Sequence, residues 1–228
     1  MTPTTIKFKV TYDSTQLQRE LSQCLQLEWP SHFKPGDFQG DWNSISLRSV
    51  TGSVNDIYAH PTADAGYKDT PLLLKMPYIK SIVDSWKCDK EAIRLLSLTP
   101  GSVIKPHQDL HCAYKHGIFR IHIPITTNPG VYFTVGENCF HLQEGECWYM
   151  DFSTTHSIVN EGNTNRVHLL IDGIRNEWTD KLFEEHGYPA YEEQYDEDTA
   201  SRIIAELALM NTAASKTIIK EFKNRSTK

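Results

Sequence analysis

"FRIHIPI", residues 119–125, alternates without a break. Successive side chains of an extended chain point to opposite faces. Phe119, Ile121, Ile123 and Ile125 therefore share one face, and Arg120 and His122 share the other. "RVHLLID", residues 166–172, repeats the pattern, with Val167, Leu169 and Ile171 opposed by Arg166 and His168. A half-wetted surface sheet has the same period, but its polar side is usually a mixture of Lys, Glu, Thr and Ser. Arg and His instead suit a closed sheet with an anion or a metal inside it. A guanidinium fork matches a carboxylate, and a neutral imidazole offers a nitrogen to a metal.

Outward from these two segments the same texture continues, from about Glu91 to Ile174. "IRLLSL", "VYFTV", "CFHL", "ECWYMDF" and "HSIV" are short and apolar or alternating, and "TPGS", "TNPG", "GEN", "QEGE" and "NEGNTN" separate them. That spacing predicts an all-β sandwich or barrel. Before it, "IKFKVTY" reads as a strand, and "STQLQRELSQCL" as a helix with Ser14 as N-cap and Leu17, Leu21 and Leu25 on one stripe. "ISLRSV" reads as a strand between loops rich in Gly, Pro and Asp, and "YIKSIVDSW" as a short helix. After "RNEW" the chain turns helical. Asp198 is the expected cap of a helix carrying Ile203, Leu207 and Met210, and a second helix is expected over 214–224. The expected organisation is one domain over 1–228, with a strand, helix and substrate-loop region at 1–90, a β core at 91–175 and a helical extension at 176–228. The expected class is mainly β with helices at both ends.

The 228 residues suffice for a proper core. The formal net charge of -6 and the lack of any Lys/Arg block argue against a nucleic-acid surface. The start, "MTPTTIKFKV", has no apolar signal core, and no stretch approaches the ~18 apolar residues of a membrane span. Cys24, Cys88, Cys112, Cys139 and Cys147 are odd in number and form no CxxC pair, so they read as reduced thiols. A cytoplasmic protein without a membrane or nucleic-acid partner is expected.

"KPHQDLHC", residues 105–112, places His107 and Asp109 two apart, on one face of a strand. The pair could share a proton, make a structural contact or hold a metal. His156 follows the aromatic segment, and Arg166 comes about one strand later. Two imidazoles and one carboxylate on one side of a metal leave positions open on the other, the facial arrangement of non-haem Fe(II) oxygenases. A 2-oxo acid and dioxygen can occupy those positions, and Arg166 is placed for the oxo acid's distal carboxylate.

At these residues the sequence resembles the aspartyl/asparaginyl β-hydroxylase family of Fe(II)/2-oxoglutarate dioxygenases, including its bacterial proline cis-4-hydroxylase-like members. The motifs are PG-x5-H-x-D, R-x-H-x-P, GE-x-W, H-S-x-x-N and R-V-H-L, spread over roughly residues 90–175. The resemblance implies a double-stranded β-helix, a cupin-like jelly roll. It implies His107, Asp109 and His156 as iron ligands, Arg166 as the partner of 2-oxoglutarate, and Arg120 and His122 near the oxo acid or the substrate. The implied cofactors are Fe(II), the cosubstrate 2-oxoglutarate and O2. The implied reaction hydroxylates an amino acid, free or peptidyl, of Asp/Asn or Pro type, with release of succinate and CO2. Retention of Asp109 favours hydroxylation over halogenation. A serine that some members place four residues before the PG proline is Leu96 here, and Ser97 is one residue off, hence on the opposite face. Arg48, Arg94 and His111 are the candidate substrate contacts. A non-catalytic cupin that binds a metal or small anion is the alternative, since the fold hosts both.

Overall fold

The computed structural model describes residues 2–58, 66–109, 112–190, 197–212, 215, 216 and 219. In chain order the N-terminal part holds β1 (Thr5–Thr11), α1 (Ser14–Leu21), β2 (Phe38–Gln39), β3 (Trp42–Ser49), β4 (Lys68–Asp69) and α2 (Pro77–Ser85). The β core follows with β5 (Lys90–Leu98), β6 (Val103–His107), β7 (Ile118–Thr126), β8 (Val131–Val135) and β9 (Asn138–Phe140). It closes with β10 (Glu146–Met150), β11 (His156–Asn160) and β12 (Arg166–Ile174), before α3 (Glu177–Glu184) and α4 (Glu197–Met210). Contacts divide the chain into one unit over 1–190 and a second over 191–228, so α3 belongs with the β core.

Two details differ from the sequence reading. Asp13, not Ser14, caps α1: its carboxylate accepts from the Gln16 amide at 3.1 Å. A carboxylate is the stronger acceptor for the positive end of a helix. In the second unit α4 begins at Glu197, ahead of the expected cap Asp198, and leaves Leu209 and Met210 exposed. Most of the helix expected over 214–224 lies outside the described residues. Among the described residues no helix is long and apolar enough to cross a membrane.

The strands form two antiparallel sheets. The larger has the order β1-β10-β7-β12-β5-β3-β4, and the smaller β2-β6-β11-β8-β9. This is a mainly β, cupin-like jelly roll. The alternation in β7 and β12 assigns the two faces of the larger sheet. Ile121, Ile123, Leu169 and Ile171 point to one core, where they meet Leu17 of α1, Ile79 and Ile82 of α2 and Phe183 of α3. Leu170, together with Leu96 and Leu98 of β5, points to a second core against Ile104, Phe133 and Ile158 of the smaller sheet. Both faces of the larger sheet are therefore dry, and the polar side chains among the second set must find partners inside the protein.

Asn160 shows how the sheets are tied. Its amide donates to the carbonyls of Leu98 and Thr164, each at 2.9 Å, and its oxygen accepts from Asn128 and Gly162. It clamps the β11–β12 turn to β5 and is fully buried.

Candidate metal centre and its cavity

A cavity of about 630 Å³ opens between the two sheets. His107 ends β6, His156 begins β11, and the two are register partners across that pair of strands. Their rings lie 4.2 Å apart. Asp109 follows β6, with its amide bonded to the Phe152 carbonyl at 2.9 Å. One donor atom from each of His107, Asp109 and His156 falls within 4.8 Å of the others, so a common point lies within a few ångströms of all three.

The proton positions of both imidazoles are set by the backbone. His107 Nδ1 donates to the Lys105 carbonyl at 2.7 Å, and His156 Nδ1 donates to the Thr154 carbonyl at 3.0 Å. Carbonyls only accept, so Nδ1 is the protonated nitrogen in the neutral tautomer of each ring, and Nε2 is the atom free to offer a lone pair to a metal. Burial holds His156 neutral, with its pKa pulled down to about 4. Burial pushes the Asp109 carboxyl up, but Arg120, with His156 and His107, outweighs it and leaves the group below its ordinary value. The site thus offers two imidazole nitrogens and one anionic oxygen. That donor set fits Fe(II), and three protein donors would leave such an ion coordination positions for other ligands.

Asp109 is itself held. Arg120 donates to it at 2.9 Å and grips Asp172 with two further bonds, at 2.6 and 3.1 Å. Arg94 donates to the same Asp172 at 2.8 Å. Burial would neutralise Asp172, but the two guanidiniums, Arg120 first, keep it ionised. Asp172 escaped the sequence reading. The signal was present, since Asp172 lies on the same alternation of β12 as Arg166 and His168.

Arg166 differs from Arg94 and Arg120. It is 1% exposed, and among the described residues no carboxylate reaches it. It donates to His168 Nδ1 at 2.7 Å, lies over the Phe133 ring at 5.7 Å, and its Nε has no partner. Burial alone pulls its pKa down to about 9. An arginine can only donate, so His168 Nδ1 is an acceptor and His168 carries its proton on Nε2, which is also unpartnered. His122 stands beside it, with the two Nδ1 atoms 3.3 Å apart, and leaves its own Nε2 unpartnered. Burial, then the Arg166 charge, keeps both rings neutral.

The structure therefore brings His107, Asp109, His156, Arg120, His122, Arg166 and Arg94 to one cavity. Leu96 lines it and Ser97 does not, as the one-residue offset requires. Arg48 is not brought there. It bonds Asp69 at 2.6 Å and the Lys90 carbonyl at 3.1 Å, away from the cavity lining. His111 lies outside the described residues.

Known proteins match this chain in sequence and in fold. A family model described as aspartyl/asparaginyl beta-hydroxylase matches residues 12–176. An L-proline cis-4-hydroxylase of Rhizobium meliloti (strain 1021) is 31% identical over 169 residues, 72% of this chain and 58% of the relative. An L-proline cis-3-hydroxylase of Streptomyces sp. is 24% identical over 170 residues, with the same coverage of both. The chain thus spans under two thirds of the length of these curated relatives. Among solved structures, an oxidoreductase of the 2OG-Fe(II) oxygenase family from Burkholderia pseudomallei superposes with a TM-score of 0.54 at 13% identity, over 76% of this chain and 86% of that one. That superposition supports the same jelly roll, and the family model runs through the β core from before β5 to the end of β12. On that match the chain belongs to the aspartyl/asparaginyl β-hydroxylase family.

Proposed function

We propose that this protein is an Fe(II)- and 2-oxoglutarate-dependent dioxygenase that hydroxylates a small amino-acid substrate. The observation that carries the reading is Arg166. A buried guanidinium without a counter-ion is costly, and a dicarboxylic oxo acid supplies the missing anion beside a triad suited to ferrous iron. Bound Fe(II), with 2-oxoglutarate and O2, supplies the chemistry: a substrate C–H becomes C–OH while the oxo acid leaves as succinate and CO2.

The protein's part is placement. His107, Asp109 and His156 would hold the metal, with the Lys105 and Thr154 carbonyls orienting the two rings. Arg120 would keep Asp109 ionised and aimed. Arg166 would bind the distal carboxylate, with His168 fixing its fork and His122 beside it. Phe152, Ile158 and Leu170 give the same space apolar walls. The substrate class follows the relatives, which are named for hydroxylation of L-proline. A cytoplasmic setting agrees with the five cysteines, all free.

Anaerobic titration tests the reading. Fe(II) and 2-oxoglutarate together should produce a weak visible charge-transfer band that needs both components and disappears in His107→Ala. Arg166→Ala should weaken 2-oxoglutarate far more than iron. Zinc retention with no band, or equal loss of both ligands in Arg166→Ala, would remove the proposal.

A further inference from the structure

The cavity holds a carboxylate that the metal triad and the oxo-acid residues do not use. Asp109 and Asp172 are both bonded by arginines. Glu91 lines the same cavity, half-buried. Among the described residues no side chain or amide donates to its carboxylate, which feels its neighbours only through space. The nearby guanidiniums of Arg94 and Arg120 are already committed to Asp172.

The backbone puts Glu91 there by a specific device. In an unbroken β5, Glu91 would share a face with Ile93 and Leu95, which enter the helix-side core. The pairing of β5 with β12 shifts between Ile171↔Ile93 and Gly173↔Lys90. Glu91 and Ala92 therefore oppose the single residue Asp172. A bulge of this kind re-aims a side chain, and bulges concentrate beside functional sites. Here it turns a carboxylate away from an apolar core and into the cavity. Burial, then the Asp172 charge, pushes its carboxyl up, which is the cost of leaving an anion without a cation.

Resting on the hydroxylase reading, we infer that Glu91 receives the cationic amine of the substrate, so that the substrate is a free amino acid and not a residue inside a peptide chain. A peptide nitrogen carries no charge to offset Glu91. An α-ammonium or a secondary imino nitrogen does, and a charged donor gives the stronger bond. The stacked pair His32 and Trp42, with ring centroids 3.5 Å apart, also lines the cavity and offers a flat wall to the carbon frame.

The test uses the full chain with Fe(II) and 2-oxoglutarate. The protein amino acids, each free and N-acetylated, are screened for stimulated succinate release. Free forms should stimulate and their acetylated partners should not. For the best free amino acid, Glu91→Gln should raise KM roughly ten- to hundredfold, with kcat changed far less, and Glu91→Asp should recover part of the loss. Anaerobic calorimetry should show the same loss of affinity without turnover. Equal stimulation by acetylated forms, unchanged affinity in Glu91→Gln, or 2-oxoglutarate turnover that no free amino acid stimulates would overturn the assignment and leave the dioxygenase reading standing. Absence of any Fe(II)- and 2-oxoglutarate-dependent succinate would remove both.

Discussion

Arg166 is where stability and function oppose each other most directly. Its guanidinium is fully buried and, among the described residues, bonded only to a neutral imidazole. Folding without a ligand must desolvate that charge with little return, and replacing buried ionic groups by apolar ones of similar size often stabilises by 1–4 kcal/mol. Arg166→Met should therefore raise the unfolding free energy of the ligand-free protein, read from urea titration, by about 1–3 kcal/mol. It should also weaken 2-oxoglutarate at least about thirtyfold, the usual loss when one partner of a buried charge pair is removed. The wild type should gain about 2.7 kcal/mol at a hundredfold excess of 2-oxoglutarate over its Kd, and the variant at the same concentration no more than about 0.9 kcal/mol. A variant less stable than wild type without ligand would mean that Arg166 holds the fold and not a guest.

Among the elements, β12 does the most positioning. One face carries Val167, Leu169 and Ile171 into the helix-side core, and the other carries Arg166 and Asp172 to the cavity, with His168 bonded behind Arg166. Its alternation was legible in the sequence. Its bulge pairing with β5 was not, because a bulge depends on the partner strand and leaves no mark on the periodicity of either one. Next to that bulge sits Gly173. A methyl group there would stand 2.4 Å from the end of the Phe119 ring. That ring cannot swing aside, since Tyr114, Phe183 and Trp86 pack around it. Gly173→Ala should cost about 1–3 kcal/mol through overpacking, a fall of several degrees in Tm by calorimetry. It should also disturb Asp172 and so weaken metal binding. An unchanged Tm would show that β12 shifts freely and positions nothing.

At the scale of the whole molecule, burying so many imidazoles gives the fold a pH limit. His122 and His168 are held neutral well below the ordinary value near 6.5, and His32 is pulled down to about 3, in each case first by burial. Below about pH 6.5 the unfolded chain binds protons that the folded chain refuses. Stability is therefore complete above that pH and falls as the pH drops toward the folded values. Each such ring removes up to about 1.4 kcal/mol per pH unit. The metal-free protein should show a clearly lower urea midpoint at pH 5 than at pH 7.5, and His168→Phe should flatten the slope. A midpoint indifferent to pH over that interval would contradict the buried, neutral assignment.

The sequence by itself determined a mainly β core and singled out His107, Asp109 and His156 as a candidate ligand set, which the structure brings together. Alternating apolar residues must face a core because burying them drives folding, and His-x-Asp with a later His is chemistry readable from residue type and spacing. It also marked Arg166, since an arginine on the inward face of a strand needs a reason to be there. Only the tertiary structure decided what each charge is bonded to. Arg94 and Arg120 share Asp172, Arg48 goes to Asp69, and Arg166 meets no anion among the described residues. Those pairings join residues far apart in the chain, and each is fixed by the register of strands that meet only when the sheets close. The same closure, through one extra residue in β5, turned Glu91 toward the cavity.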